Sequence, residues 1–390
     1  MSARQPAGIA GKIVAVLGSF GLCITVLTFL FLLTVIGTLE QTRSSLYEVQ
    51  KRYFESAFVL HEVAGVPIPL PGVYLLLVVL LVNLLVGGIL RMRKDRSTWG
   101  VLLTHVGIVI MLAGSAVEFT YSQKGHTTLA EGSDKAEFQS YYEWEIAVAE
   151  VKAAGPVDEF VIPGERFMHL SGDGTATFTS ADLPFDLVVQ RSFANCEPSD
   201  AKAGQGAGGV VLNELERNKE AELDRAGAYV TFRPRNGGAP RAGALWANDR
   251  FSITASAEIE GRRWRAVLSH RRGQLPFTVH LEDFRRDMHP GTGMAKAFES
   301  DVLKIKDGAT QKVRISMNQP LRESGYTLYQ SSFREPSART GGRWESTFSV
   351  VRNPADRVPL WSCMVITAGL LLHFGQKLVR HVKSQNRRRA

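Results

Sequence analysis

Four long runs without a charged residue constrain this chain more than any other feature. They occupy 13–36, 63–90, 97–117 and 358–376. A helix needs about 20 apolar residues to cross the hydrocarbon core of a bilayer, so each run is long enough to span one. The second begins with Pro67, Pro69 and Pro71. The first is too long for a signal-peptide core and has no small-residue cleavage site at its end, so it is expected to remain as an anchor.

The charge distribution gives the runs a direction. The 390 residues carry 46 Lys and Arg against 38 Asp and Glu, a net charge of +8. Such a balance raises nucleic acid as a partner. However, the excess sits in short segments beside the apolar runs. These are Arg4 and Lys12; Arg91, Arg93, Lys94 and Arg96 against the lone Asp95; and Lys377, Arg380, Lys383, Arg387, Arg388 and Arg389. Together they exceed the net charge of the whole chain, so the remainder is slightly acidic. The basicity is therefore a topology signal, and no nucleic-acid partner is expected. With four spans, all three basic segments fall on one side. The positive-inside rule then places both termini in the cytoplasm. The expected order is a cytoplasmic 1–12, span 13–36, an outer loop 37–65, span 66–90, a basic loop 91–98 and span 99–117. An outer domain 118–357, span 358–376 and a basic tail 377–390 follow.

A mean hydropathy near zero averages two compositions. The long outer segment alternates apolar and polar residues with a period near two. Predicted strands are 144–151, 185–190, 263–268, 276–284, 311–317, 325–333 and 346–352, separated by Gly, Pro, Asn and Asp clusters. Many short strands of this kind predict an antiparallel sandwich or open barrel. The low-complexity stretch 198–209 predicts a flexible loop, and 211–226 predicts one short helix. The fold class is thus a membrane protein with four transmembrane helices and a large β-rich extracytoplasmic domain.

Few residues carry chemistry. Cys23 and Cys363 lie within apolar runs, and Cys196 is alone in the outer segment. There is neither C-x-x-C nor C-x-x-C-H, which excludes a thioredoxin-like redox motif and a c-type cytochrome. No G-x-S-x-G, Walker loop or H-E-x-x-H occurs, so no catalytic residue and no zinc site is assigned. His105 lies mid-span in GVLLTHVGIVIMLAGS. An ionisable group at that depth needs a partner, because lipid offers none. Two readings stand. One is a helix–helix hydrogen bond, favoured by the neighbouring Gly100, Gly107 and Gly114. The other is an axial ligand to haem iron, since neutral imidazole is a common one. His373 lies nearer the basic end of the fourth run, and His61 precedes the prolines at the outer surface. At 1.5 Å per residue, His105 and His373 differ in height by roughly 6 Å, which makes a ligand pair within the chain awkward.

Four strings together resemble the ResB family, also called CcsB, of the System II cytochrome c biogenesis machinery. They are GTLEQTRSSLYEVQKRYF (37–54), HPGTGMAKAFESDVLKI (289–305), MNQPLRESGYTLYQSSF (317–333) and NPADRVPLW (353–361). The N-x-P-L…G-Y-x-L-Y-Q-S-S string is the most specific. The resemblance implies a bacterial inner-membrane subunit with its large domain in the periplasm. It implies a CcsA-type multi-span partner and transport of haem b. The haem is presented for thioether attachment to the C-x-x-C-H of apocytochrome c, with a thioredoxin-like reductant as a further partner. It also implies that a membrane histidine of this half ligates haem together with one from the partner. His105 matches that position by span and depth, and His373 is the lesser candidate. The six tryptophans do not cluster into the Trp-rich loop of CcsA proteins, so the chain resembles the partner-dependent half and not a fusion. Two alternatives remain: a non-haem membrane scaffold with a protein-binding β domain, and an intramembrane electron-transfer subunit.

Overall fold

The computed structural model describes residues 8–389 except 64, 154, 156, 202–205, 249, 250 and 292. Contacts divide the chain into two units, Met1–Ser122 with Asn353–Ala390, and Gln123–Arg352.

The first unit is helical and apolar. Helix α1 (Ile9–Leu17) stops at Gly18, and α2 (Phe20–Glu40) begins after Ser19, whose hydroxyl accepts from Leu22 N at 3.1 Å. The first run is therefore interrupted, and 13–36 is not one continuous helix. Within α2 the hydroxyls of Thr25, Thr28, Thr34 and Thr38 donate to carbonyls four residues back. This return satisfies polar groups internally, as a lipid-facing helix requires. After α3 (Leu46–Val49) and a π-helical turn (Gln50–Phe54), strands β1 (Phe58–Val63) and β2 (Val66–Pro71) form an antiparallel hairpin.

The hairpin corrects the second expected span. Residues 66–71 are uncharged but extended, because each proline lacks an N–H and pushes its predecessor toward β geometry. The membrane helix starts only at α4 (Val73–Asn83) and continues as a π-helical segment (Leu84–Leu90). Helix α5 runs Trp99–Tyr121. Helix α6 runs Val358–Arg389, so the basic tail is a continuation of the helix. Lys, Arg and Gln are good helix formers, and cations suit a helix C-terminus. Among the described residues, four helical stretches are long and apolar enough to cross a membrane: Phe20–Glu40, Val73–Leu90, Trp99–Tyr121 and Val358–Arg388.

Helices α5 and α6 pack through glycine. A Cβ on Gly100 would lie 2.5 Å from His373 N, and one on Gly369 would lie 2.6 Å from Thr104 N. On Gly107 it would lie 3.0 Å from Ile366 N. At Gly114 the neighbour is instead the Val358 side chain. At Gly100 and Gly369 the two backbones approach directly, and Gly107 and Gly114 make room for the side chains of Ile366 and Val358.

The second unit is antiparallel β. Its strands are β3 (Gln123–Ala130), β4 (Asp134–Glu150), β5 (Glu159–Pro163), β6 (Thr175–Phe178), β7 (Phe185–Phe193) and β8 (Cys196–Asp200). There follow β9 (Val210–Glu214), β10 (Gly227–Pro234), β11 (Arg241–Trp246), β12 (Ala255–Ile259) and β13 (Arg262–Met288). The last are β14 (Ala295–Lys306), β15 (Ala309–Ser316), β16 (Leu321–Glu323), β17 (Tyr326–Arg334) and β18 (Glu345–Arg352). A ten-stranded sheet runs β15-β14-β13-β4-β3-β18-β17-β16, with β12 and β5 paired beside it. A four-stranded sheet runs β11-β10-β7-β6, and β8 pairs β9. The sheets do not close into a barrel.

Two cores result. One lies between the four-stranded sheet and β12, β13, β4 and β5; Phe185, Leu187, Val189, Val230 and Phe232 meet Ile146, Val148, Ile162, Trp264 and Leu268. The other is enclosed by the curled remainder, around Val279, Leu281, Val302, Leu328, Phe348 and Val350. Beside this second core the fully buried hydroxyls of Ser300 and Ser346 bond each other and the Gln330 amide, each at 2.8 Å. Strands β4 and β13 thread both cores.

Two expectations fail here. The segments 263–268 and 276–284 are one strand, β13, with a register shift between Gln274 and Val279. The stretch 211–226 is not helical. It contributes β9, whose Leu212 N donates to the Tyr229 hydroxyl, and a single 3-10 turn, Ala221–Leu223. Asp224 then fixes the segment by accepting from Arg217 Nε, Asn218 N and Asn218 Nδ2. These tertiary partners override the local charge spacing that favours a helix. Within 198–209, residues 198–200 end β8, and 202–205 lie outside the described residues.

Candidate functional site

His105 is the seventh of the 23 residues of α5, on the side opposite the glycine seam. Its Nδ1 lies 2.9 Å from the carbonyl oxygen of Gly88, in the π-helical segment that completes the second span. A carbonyl only accepts, so Nδ1 carries the proton. The ring is thereby fixed in one tautomer, and Nε2 holds a free lone pair. Gly88 O is one of the last carbonyls of its segment, which have no intrahelical partner. A carbonyl partner on the second nitrogen is the usual way a ligating histidine is oriented and made more basic. The ring is only half-buried within the unit.

Glycine at 88 is a requirement of this contact. A Cβ there would come within 2.7 Å of His105 Nδ1. The π geometry follows Asn83, which is 6% exposed. Its amide Nδ2 donates to Leu17 O at 2.7 Å and to Ser19 O at 2.9 Å, bridging the interruption between α1 and α2. Gly87 and Gly18 meet backbone to backbone beside it; a Cβ on Gly87 would lie 2.7 Å from Gly18 O.

His373 belongs to a different place. Its backbone lies against Gly100 and its ring stands edge-on to Phe374, with centroids 5.5 Å apart. Gly100 is five residues before His105, about 7.5 Å along the helix. The structure thus joins His105 to the second span and His373 to the glycine seam. His61, on β1, is held by the buried Tyr53, whose hydroxyl lies 2.7 Å from His61 Nδ1. Burial raises the Tyr53 pKa above its ordinary value.

Among its described residues the β-rich unit offers no comparable centre. His280 Nδ1 is 2.6 Å from Asp134, and His270 stacks on Trp144 at 3.8 Å between centroids. Among the described residues no group of three or more His, Cys, Asp or Glu is arranged to hold a metal ion. The charged side chains form ion pairs. Asp301 accepts from Arg314 and Arg285, and Glu323 from Lys304 and Lys306. An open groove of about 360 Å³ on the outer face of β4, β5 and β13 is lined by Ala147, Val157, Glu159, Arg265, Val267 and Arg272.

Gly88 and Asn83 escape sequence reasoning. Asn83 is the one carboxamide inside an otherwise apolar helix, and that is a readable signal. Nothing in the sequence announces the π-helical register that brings Gly88 to His105.

No curated protein matches the chain. A family model does match, over residues 250–344. That stretch covers β12, β13, β14, β15, β16 and β17 and includes two of the strings on which the resemblance rests, 289–305 and 317–333. The family that these strands match is the ResB-like family.

Proposed function

We propose that this chain is the ResB-like subunit of a System II cytochrome c synthase in the bacterial inner membrane. With a CcsA-type multi-span partner it moves haem b outward and presents it to the C-x-x-C-H of apocytochrome c. A thioredoxin-like reductant serves the same apocytochrome. Haem is cargo here, and the chain supplies one axial ligand, His105, with His373 the lesser candidate. The observation that carries this reading is the tautomer of His105: Nδ1–H is held by Gly88 O, and Nε2 is free on a half-buried ring among apolar spans. A second imidazole from the partner would fill the remaining axial position and leave no open site for oxygen.

The placement of the basic segments supports the orientation. Gln376 Nε2 donates to Arg96 O at 2.9 Å, which sets the loop 91–98 beside the start of the basic tail. Both then mark the cytoplasmic side by the positive-inside rule, and Gln123–Arg352 lies in the periplasm.

The test is the haem content of the full-length chain co-purified with its partner. His105→Ala should lose most of the haem absorbance, and His105→Gly should recover it with added imidazole. His373→Ala should have the smaller effect. Full haem in His105→Ala would overturn the assignment. One observation favours a second reading, a haem-free scaffold: the bond to Gly88 O by itself meets the polar need of a buried imidazole. A wild-type complex that purifies without haem would decide for it.

A further inference from the structure

We infer that Asn83 is a positioning residue for His105, acting through the interrupted first span and the π-helical segment of the second. The inference rests on the haem-ligand reading above and adds a residue and a mechanism to it.

The chain of contacts is continuous. Gly18 and Ser19 break the first apolar helix, which leaves Leu17 O without a helix bond and Ser19 O with one long one, from Cys23 N at 3.3 Å. Inside a membrane such carbonyls must be met by protein. Asn83 meets Leu17 O and adds a second bond to Ser19 O, with both protons of one amide. It is the last residue of α4, and the π-helical segment begins at the next position. Within that segment Gly87 closes on Gly18, and one residue later Gly88 O receives His105 Nδ1.

The widened turn therefore lies between two fixed points, Asn83 on the first span and Gly88 on the third. A π-helical turn aims its last carbonyls differently from an α-helical one, and such turns cluster at functional sites. Releasing the Asn83 end lets the segment return to α-helical winding. That rotates Gly88 O away from the imidazole. The ligand then loses its orientation and part of its basicity while every atom of the ring remains.

The test uses the full-length chain in detergent, titrated with ferric haem b, and compares Asn83→Leu, Asn83→Ser and His105→Ala with wild type. Asn83→Leu should weaken haem binding about tenfold, the ordinary cost of losing an outer partner of a ligating histidine. The iron–histidine stretch of the ferrous form, read by resonance Raman, should fall in frequency because Nδ1–H is no longer held. Asn83→Ser keeps one donor and should lie between. A merely structural role would lower yield and leave this frequency unchanged.

An unchanged frequency and affinity in either folded Asn83 variant overturns the inference and leaves the ligand reading intact. If Asn83→Leu fails to fold, Asn83→Ser decides alone. If wild type and His105→Ala bind haem equally, the ligand reading itself falls, and this inference with it.

Discussion

Replacing Gly100 with Ala tests whether the spans formed by α5 and α6 are held backbone to backbone. The added methyl would lie 2.5 Å from His373 N, 2.7 Å from Gly369 O and 2.8 Å from His373 Cα. All three are backbone atoms, which cannot rotate away as a side chain can. Ordinary carbon contacts need about 3.5 Å, so the helices must separate locally by about 1 Å. Overpacking of this degree costs about 1–3 kcal/mol. Gly369→Ala faces the same obstacle from the other side, 2.6 Å from Thr104 N and 2.8 Å from Gly100 O. Because the two glycines oppose each other, one separation relieves both. The double variant should therefore be less destabilised than the two single effects added, with a coupling of about 1 kcal/mol or more. Gly21→Ala is the control, with no atom within 4 Å of the new methyl. It should be neutral or stabilising by up to about 1 kcal/mol through helix propensity. The assay is equilibrium unfolding of the purified chain in one detergent, followed by a trap that captures the separated helices. Gly100→Ala and Gly369→Ala as benign as Gly21→Ala, or strictly additive, would refute the close seam.

Two further outcomes follow from the β-rich unit. The Glu323 carboxyl is held at about 2 by Lys304, Lys306 and the Ser324 hydroxyl, and that of Asp301 is lowered by Arg314 and Arg285. For a carboxyl whose folded value lies below its unfolded one, the added stability is complete above the unfolded value, near 4. It is lost as pH falls toward the folded value. The unit should thus lose stability between about pH 4 and pH 2, and Glu323→Gln should flatten that slope in denaturant midpoints measured across the range; an identical slope would refute it. Burial, with Glu214 nearby, pushes the Cys196 thiol up to about 12. A maleimide at pH 8 should leave Cys196 unmodified until denaturant is added, and rapid labelling of the native chain would show the site to be open.

The sequence displays what depends on composition and hides what depends on partners. Uncharged runs flanked by arginine are visible because lipid excludes charge, and period-two strands because one face is buried. Residues 66–71 pass the same filter as a span and yet pair as a strand, since absence of charge says nothing about backbone N–H groups that proline removes. The division of β13 into two expected strands falls at 269–275, a polar stretch containing Gly273; β4 pairs on both sides of the register shift there and carries the strand through. The misplaced helix at 211–226 is a case in which Asp224 and Tyr229 supply bonds that a propensity argument cannot see. His105 is legible as a buried imidazole. Its tautomer depends on Gly88, seventeen residues away, and on the winding of the segment that carries it.

Strands β4 and β13 are shared by both cores, and about 110 residues separate the end of one from the start of the other. Neither core can close until β13 has been made. At ordinary synthesis rates the chain between them waits roughly ten seconds, with β4 already present and its apolar faces uncovered. Folding of this unit is therefore timed by the emergence of Arg262–Met288, all of which lies within the family-matched stretch. A truncation before that strand would leave an open sheet edge and not a smaller folded domain.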